Sequence, residues 1–307
     1  MSPRPASAVD LITGFLGAGK TTFIRQYAAY LKRRGESYAI IENEYGAAGI
    51  DAESLTDTGA VIKEISGGCI CCTLKVGFHG LVSGLCEEFD RIIIEPSGVF
   101  DPQVYADLLS SPSLVGRICA GMAVAVVDPL SIKSLSPEDI ELLRSEVSPS
   151  GIALLSKTQL CTEDQTRYAM QLLREMVLHK DPSWIESACW DSFSDDDFKR
   201  FQRCLFEPEY LTSGLRGHAN LYQSTTLYPE GLFDEEAVKR LMRQLQSGCG
   251  EVLRIKGFLK GQDGSMWFVN CSPGAEYITG APSARTAKVS IIGRGLLRSK
   301  MQDILRG

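Results

Sequence analysis

Gly14-Phe15-Leu16-Gly17-Ala18-Gly19-Lys20-Thr21 decides how the rest of the chain is read. It fits a pattern of glycine, four residues, then Gly-Lys-Thr, with an apolar run (9–13) before it and a helical stretch (20–33) after it. Strand, glycine-rich turn and helix in that order form a cradle for phosphate. Glycine admits backbone conformations that turn successive N–H groups toward one point. The helix N-terminus adds positive potential there. Gly14, Gly17, Ala18 and Gly19 therefore shape the loop. Lys20 reaches the β and γ phosphates, the Thr21 hydroxyl binds Mg²⁺, and Thr22 contacts the α phosphate. The competing reading, a strand-to-helix turn without a ligand, leaves the lysine and threonine unexplained.

The surrounding pattern places this loop in a sheet. Apolar runs at 9–13, 38–42, 61–65, 91–94, 121–127 and 152–155 predict strands, and 20–33, 74–87, 137–147 and 162–178 predict helices. Short, continuously apolar strands alternating with helices predict an α/β fold, a mostly parallel sheet with helices on both faces. Ligands in such folds bind beyond the carboxyl ends of the strands. The pattern changes around 189–217, where "DSFSDDDFKRF" is acidic and "EPEYLTSGLRGHAN" is turn-rich, which reads as a linker containing a short helix. Beyond it, strands at 221–227, 252–259, 266–270 and 289–292 and helices at 234–246 and 296–305 predict a smaller α+β domain, antiparallel in part. The expected division is 1–188, linker 189–217, and 218–307.

Composition narrows the function classes. The 307 residues are 44% hydrophobic and 23% charged, as in globular proteins generally. No apolar run reaches the roughly 18 residues of a membrane span, and the N-terminal stretch lacks the apolar core of a signal peptide. The expectation is a cytoplasmic protein that binds no membrane. A net charge of −6 without a basic run argues against nucleic acid as a partner.

Nucleotide chemistry needs an acidic group near the metal. Ile92-Ile93-Ile94-Glu95 ends an apolar strand on a carboxylate, and Gly98 follows, where its backbone N–H can approach a γ phosphate. Asp128 also ends an apolar strand, and metal chemistry and turn capping explain it equally well. "SGGCICCTL" (66–74) packs Cys69, Cys71 and Cys72 into four positions, in a chain with ten cysteines. In a reducing compartment a tight cluster reads as metal-binding or redox-active, with a sulfur-rich buried turn as the plain alternative. Thiolates suit zinc, cobalt(II) and copper(I). Cys69 and Cys71 share one face of an extended segment.

Four motifs, "GFLGAGKTT" (14–22), "ENEYGAAGID" (42–51), "SGGCICCTL" (66–74) and "IIIEPSG" (92–98), occur in an order and spacing that resemble the CobW family of P-loop GTPases, relatives of HypB and UreG. "EVLRIKGFL" (251–259) and "VSIIGRGLL" (289–297) resemble strands of that family's C-terminal domain. The resemblance implies a GTP hydrolase that delivers or inserts a transition metal, or assists a cobalamin pathway, and whose partner is a client metalloprotein or metal-cofactor enzyme. It implies GTP and Mg²⁺ at Lys20 and Thr21, with Glu95 as the phosphate-sensing carboxylate. Zn²⁺ or Co²⁺ falls to Cys69, Cys71 and Cys72. Glu42 and Glu44 lie in the matching switch segment as candidate ligands of Mg²⁺ or of the transferred metal, and His79 is a third candidate to complete the thiolate set. An oligomer is compatible with the resemblance.

Two departures matter. Guanine selection in such enzymes comes from Asn-Lys-x-Asp, whose Asp accepts two hydrogen bonds from the base. Here Ser156-Lys157-Thr158-Gln159 stands there, so Lys157 lays its stem on the base and Gln159 offers one amide oxygen. The chain also has three isolated histidines and no His-rich tract, which puts any metal transfer on the cysteines. A nucleotide-gated, metal-sensing protein that docks a client, with hydrolysis incidental, is the competing class. Stimulation of hydrolysis by metal or client separates the two.

Overall fold

The computed structural model describes residues 5–43, 59–65, 75–190, 193–211, 222–272, 275–281 and 286–306. The described residues through 211 form one compact unit, and those from 222 form a second.

In the first unit seven strands, β1 (Ser7–Thr13), β2 (Tyr38–Asn43), β3 (Val61–Ile65), β4 (Arg91–Glu95), β5 (Ile118–Val127), β6 (Ile152–Leu155) and β7 (Ile185–Glu186), form a sheet in the order β3-β2-β4-β1-β5-β6-β7. Every neighbouring pair is parallel. The helices are α1 (Lys20–Arg34), α2 (Lys75–Leu85), α3 (Gln103–Leu109), α4 (Pro137–Val147), α5 (Glu163–Met176) and α6 (Asp195–Phe201). Successive strand residues face opposite sides, so Val9, Leu11, Ala39, Ile41, Ile92 and Ile94 pack with α2 and α3. Ile12, Ile40, Ile93, Val124 and Val126 pack with α1 and α6. Beyond β5, Leu143, Val147, Ala169 and Leu173 of α4 and α5 cover Ala125, Val127, Ala153 and Leu155. Burial on both faces is why these strands are continuously apolar.

The stretch read as a linker is corrected by its described part, which belongs to the core of the first unit. α6 does lie there, capped by Ser194, whose side chain accepts from Asp197 N–H. Its Phe198 and Phe201 are 2% and 0% exposed and pack against Phe23 and Tyr30 of α1. Each fully buried Phe contributes about 1.5–3 kcal/mol of transfer free energy. The chain then runs back along the unit. Cys204 O accepts from Ala123 N–H at 2.8 Å, Glu207 N–H donates to Pro149 O at 2.8 Å, and Lys180 pairs with Glu207 at 3.0 Å.

The second unit is a largely antiparallel sheet of β8 (Gln223–Leu227), β10 (Glu251–Gly261), β11 (Met266–Ser272), β12 (Ala275–Ala281) and β13 (Lys288–Arg294), in the order β12-β11-β10-β13-β8, with the two-residue β9 (Leu232–Phe233) parallel to β10. α7 (Glu235–Gly248) and α8 (Arg298–Arg306) bury Val238, Leu241, Met242, Leu245 and Met301 against Ile255, Leu259, Val269 and Ile291. The α/β fold with a smaller α+β part is as the sequence predicted.

Candidate functional site

The glycine-rich loop leaves the carboxyl end of β1 between β4 and β5, at the centre of the sheet. Gly14 has φ +136°, and a methyl there would lie 2.2 Å from Val126 O, so no other residue fits. Gly17 and Gly19 also have positive φ, +74° and +106°. α4, α5 and α6 begin with a Ser or Thr capping box, whereas α1 begins at Gly19 with no side-chain cap. The first N–H groups of a helix have no intrahelical acceptor, and a helix start left without a side-chain cap suits an anion. Lys20 is 5% exposed, and its ammonium donates to Gly14 O at 2.7 Å and, more weakly, to Phe15 O at 3.4 Å. Thr22 is exposed beside it.

Carboxylates gather on the β4 side of the loop. Thr21 Oγ1 donates to Glu95 Oε1 at 2.8 Å, joining the start of α1 to the end of β4. Glu95 is 6% exposed and stands in register with Glu42 on β2, which is 4% exposed. Neither carboxylate oxygen of Glu42 has a hydrogen-bond donor among the described residues. A carboxylate buried in that condition is costly unless a cation satisfies it. Gly98 closes the floor: a Cβ there would come 2.6 Å from Leu16 N, so backbone meets backbone at this point. Glu44, Cys69, Cys71, Cys72 and Asp51 lie outside the described residues. The chain reaches Cys69 four residues after β3 ends, and β3 is the neighbour of β2. His79 is half-buried on α2, edge-on to Phe78.

On the other side of the loop, Asp128 at the end of β5 accepts from Lys157 Nζ at 2.5 Å and from Leu130 N–H at 2.9 Å. Asp128 therefore caps its own turn and orients Lys157. Lys157 has φ +53°, a left-handed conformation rare for a side-chain-bearing residue. Gln159 is exposed in the 3₁₀ turn Thr158–Leu160 that follows.

Two residues of this region escaped the sequence reading. Trp190, inside the supposed linker, donates its indole N–H to Leu155 O at 3.0 Å, and its ring would contact a Cβ on Gly19 at 3.3 Å. It backs the loop where the helix starts. Glu146, near the end of α4, is fully buried, and Phe100 N–H approaches its Oε1 at 3.4 Å. Burial pushes its carboxyl up to about 8, with the Lys20 ammonium partly offsetting the rise. A carboxylate at a helix C-terminus opposes the helix dipole, and that misplacement was the available signal.

This geometry agrees with comparison to known proteins. The model of the CobW/HypB/UreG nucleotide-binding domain matches residues 8–182, more than half of the chain. The chain belongs to the CobW/HypB/UreG family. Among curated CobW relatives, the zinc chaperone YeiR of Escherichia coli K12 is 35% identical over 159 residues, covering 50% of this chain and 48% of the relative. The zinc chaperone YjiA of the same organism is 33% identical over 164 residues, 51% of each chain. The matched part thus spans about half the length of these relatives. A solved structure, the Zn(II)-bound YjiA GTPase of E. coli, aligns over 99% of both chains at 21% identity with a TM-score of 0.47. No described helix is long and apolar enough to cross a membrane.

Proposed function

We propose that this protein is a metal-coupled GTPase acting as a metallochaperone, in which Mg-GTP binding and hydrolysis control a transition-metal site built on Cys69, Cys71 and Cys72. The observation that carries this reading is the contact of Thr21 with Glu95, with Glu42 beside it in register and lacking donors. A hydroxyl and two carboxylates at the mouth of a phosphate loop are hard oxygen donors, the set that suits Mg²⁺. Thr21 would hold that ion with Glu95 close by, and when bound it neutralises charge on the β and γ phosphates. Gly14, Gly17, Ala18, Gly19 and Gly98 present backbone N–H groups to the phosphates, and Lys20 adds a cation. Glu42, the penultimate residue of β2 between β3 and β4, stands between the phosphate site and the strand that leads to the cysteines, and so serves either ion.

Three thiolates form an incomplete set for a structural zinc, which takes four protein ligands. An incomplete set suits a carrier, because an open position lets the ion pass on. The names of the relatives, zinc chaperones and a zinc-regulated GTPase metalloprotein activator of Dictyostelium discoideum, support zinc as cargo and a metalloprotein as client. Slow unassisted turnover is expected, since such GTPases accelerate when a partner or ion supplies the missing stabilisation.

Base selection rests on Lys157, oriented by Asp128, and on Gln159. Steady-state competition tests the guanine reading: GTP is expected to suppress ATP hydrolysis, and equal use of the two contradicts it. Gln159→Asp adds the second acceptor and is expected to raise the GTP-to-ATP ratio of kcat/KM roughly 10- to 100-fold, the worth of charge-assisted hydrogen bonds to the base.

A further inference from the structure

β7 is two residues long and pairs with β6 as far as Leu154, which lies opposite Glu186. Leu155 O lies one residue beyond, and the indole N–H of Trp190 supplies its donor at 3.0 Å. A buried carbonyl left without a donor is costly, so this bond matters to the end of β6. The same indole ring lies against the start of α1. A Cβ built on Gly19 would stand 3.3 Å from Trp190 Cη2, 3.4 Å from Trp190 Cζ3 and 3.7 Å from Ser156 Cβ. The ring also meets Phe23, one turn into α1, edge-on with centroids 6.0 Å apart. One buried side chain thus joins the residue before Ser156–Gln159 to the residue that begins α1. Ser156 N–H donates to Val127 O at 2.8 Å, and Asp128 accepts from Lys157. Those bonds hold the 156–159 segment to β5; Trp190 holds it to the phosphate loop.

We propose that Trp190 is a positioning residue that sets the spacing between the base end and the phosphate end of the nucleotide site before the ligand arrives. The inference rests on the nucleotide-site reading above, in which Gly19 belongs to the loop that takes phosphates and 156–159 to the segment that reads the base. A ligand that spans two subsites gains fully from both only when they already stand at the right separation. Otherwise part of its binding is spent on ordering the protein. Trp190 acts through Leu155 and Gly19, so its loss weakens ligands that span the site and spares those that fill only the phosphate end. The reaction at the γ phosphate is spared as well, because Lys20, Thr21 and Glu95 remain. A tryptophan that served only to fill the core would behave differently: its replacement would lower the melting temperature and weaken the two kinds of ligand alike or not at all.

The test is displacement of a fluorescent GDP analogue by GDP and by tripolyphosphate, with Mg²⁺ present, from wild type and Trp190→Phe, with thermal melting to confirm folding. Trp190→Phe keeps a ring at this place and removes the donor to Leu155 O. It is expected to weaken GDP about tenfold, the scale of one buried hydrogen bond, and to leave tripolyphosphate within about twofold. Hydrolysis shows the same split: KM for GTP rises about tenfold while kcat stays within about threefold, the mark of lost binding without lost transition-state contacts. Benzothienylalanine at position 190 keeps the shape of the indole and replaces its N–H by sulfur; it gives the same split and serves if Trp190→Phe does not fold. A GDP affinity unchanged within about twofold, or equal losses for GDP and tripolyphosphate, overturns the inference and leaves the nucleotide site standing. A wild type that binds neither GDP nor its analogue overturns both.

Discussion

Lys20→Ala is expected to lower GTP turnover about 100- to 1,000-fold, the usual consequence of removing one preorganised donor from a site where transition-state charge develops. The ammonium is nearly enclosed and already held at the loop by Gly14 O, 2.7 Å away. It needs only a local rotation to meet the phosphates, so little of its binding is spent on ordering a long side chain. Lys20→Arg is not expected to rescue the loss, because a planar fork does not replace a compact ammonium in so closed a space. Single-turnover hydrolysis with folding checked by thermal melting gives the number. A loss below about threefold is too small for a lost transition-state donor and removes Lys20 from the phosphate site.

The second large effect concerns metal. Replacing Cys69, Cys71 and Cys72 together by Ser is expected to lower zinc affinity roughly a thousandfold or more, since serine hydroxyls are poor substitutes for thiolates and the ion's binding free energy comes from those bonds. Competition with a chromogenic chelator measures it. Glu42→Gln removes a charge in place and is expected to weaken zinc less, because the thiolates persist. Unchanged zinc affinity in the triple variant would move the metal site away from the cysteines.

The parallel sheet was legible because its strands are buried on both faces and so announce themselves as apolar runs; β2, Tyr38–Asn43, is buried at every position. β7 escaped because two residues carry no pattern, and β12 because "AEYITGA" mixes small and exposed residues. The acidic run 195–197 made α6 look like a solvated linker. Those aspartates form the capped first turn of a short helix, and the informative signal was Phe198 and Phe201, three apart on one buried face. The phosphate loop was readable at residue level because its chemistry is local in sequence. Trp190 and Glu146 were not, since each meets its partner only once distant segments are packed together, Trp190 at Leu155 O and Glu146 at the Phe100 amide. Asp128, which sequence left balanced between two roles, is bonded both to its own turn and to Lys157.

The central claim is that nucleotide state governs the metal site, and linkage makes it directly measurable, because any change that GTP imposes on metal affinity must be returned as a change that metal imposes on GTP affinity. The decisive measurement is the Zn²⁺ affinity of the full chain bound to a non-hydrolysable GTP analogue and to GDP, under reducing, oxygen-free conditions. The account predicts a difference of at least about fivefold, at the lower end of typical coupling between sites, with a matching shift in GTP-analogue affinity when zinc is present. Equal zinc affinity in the two nucleotide states would contradict it.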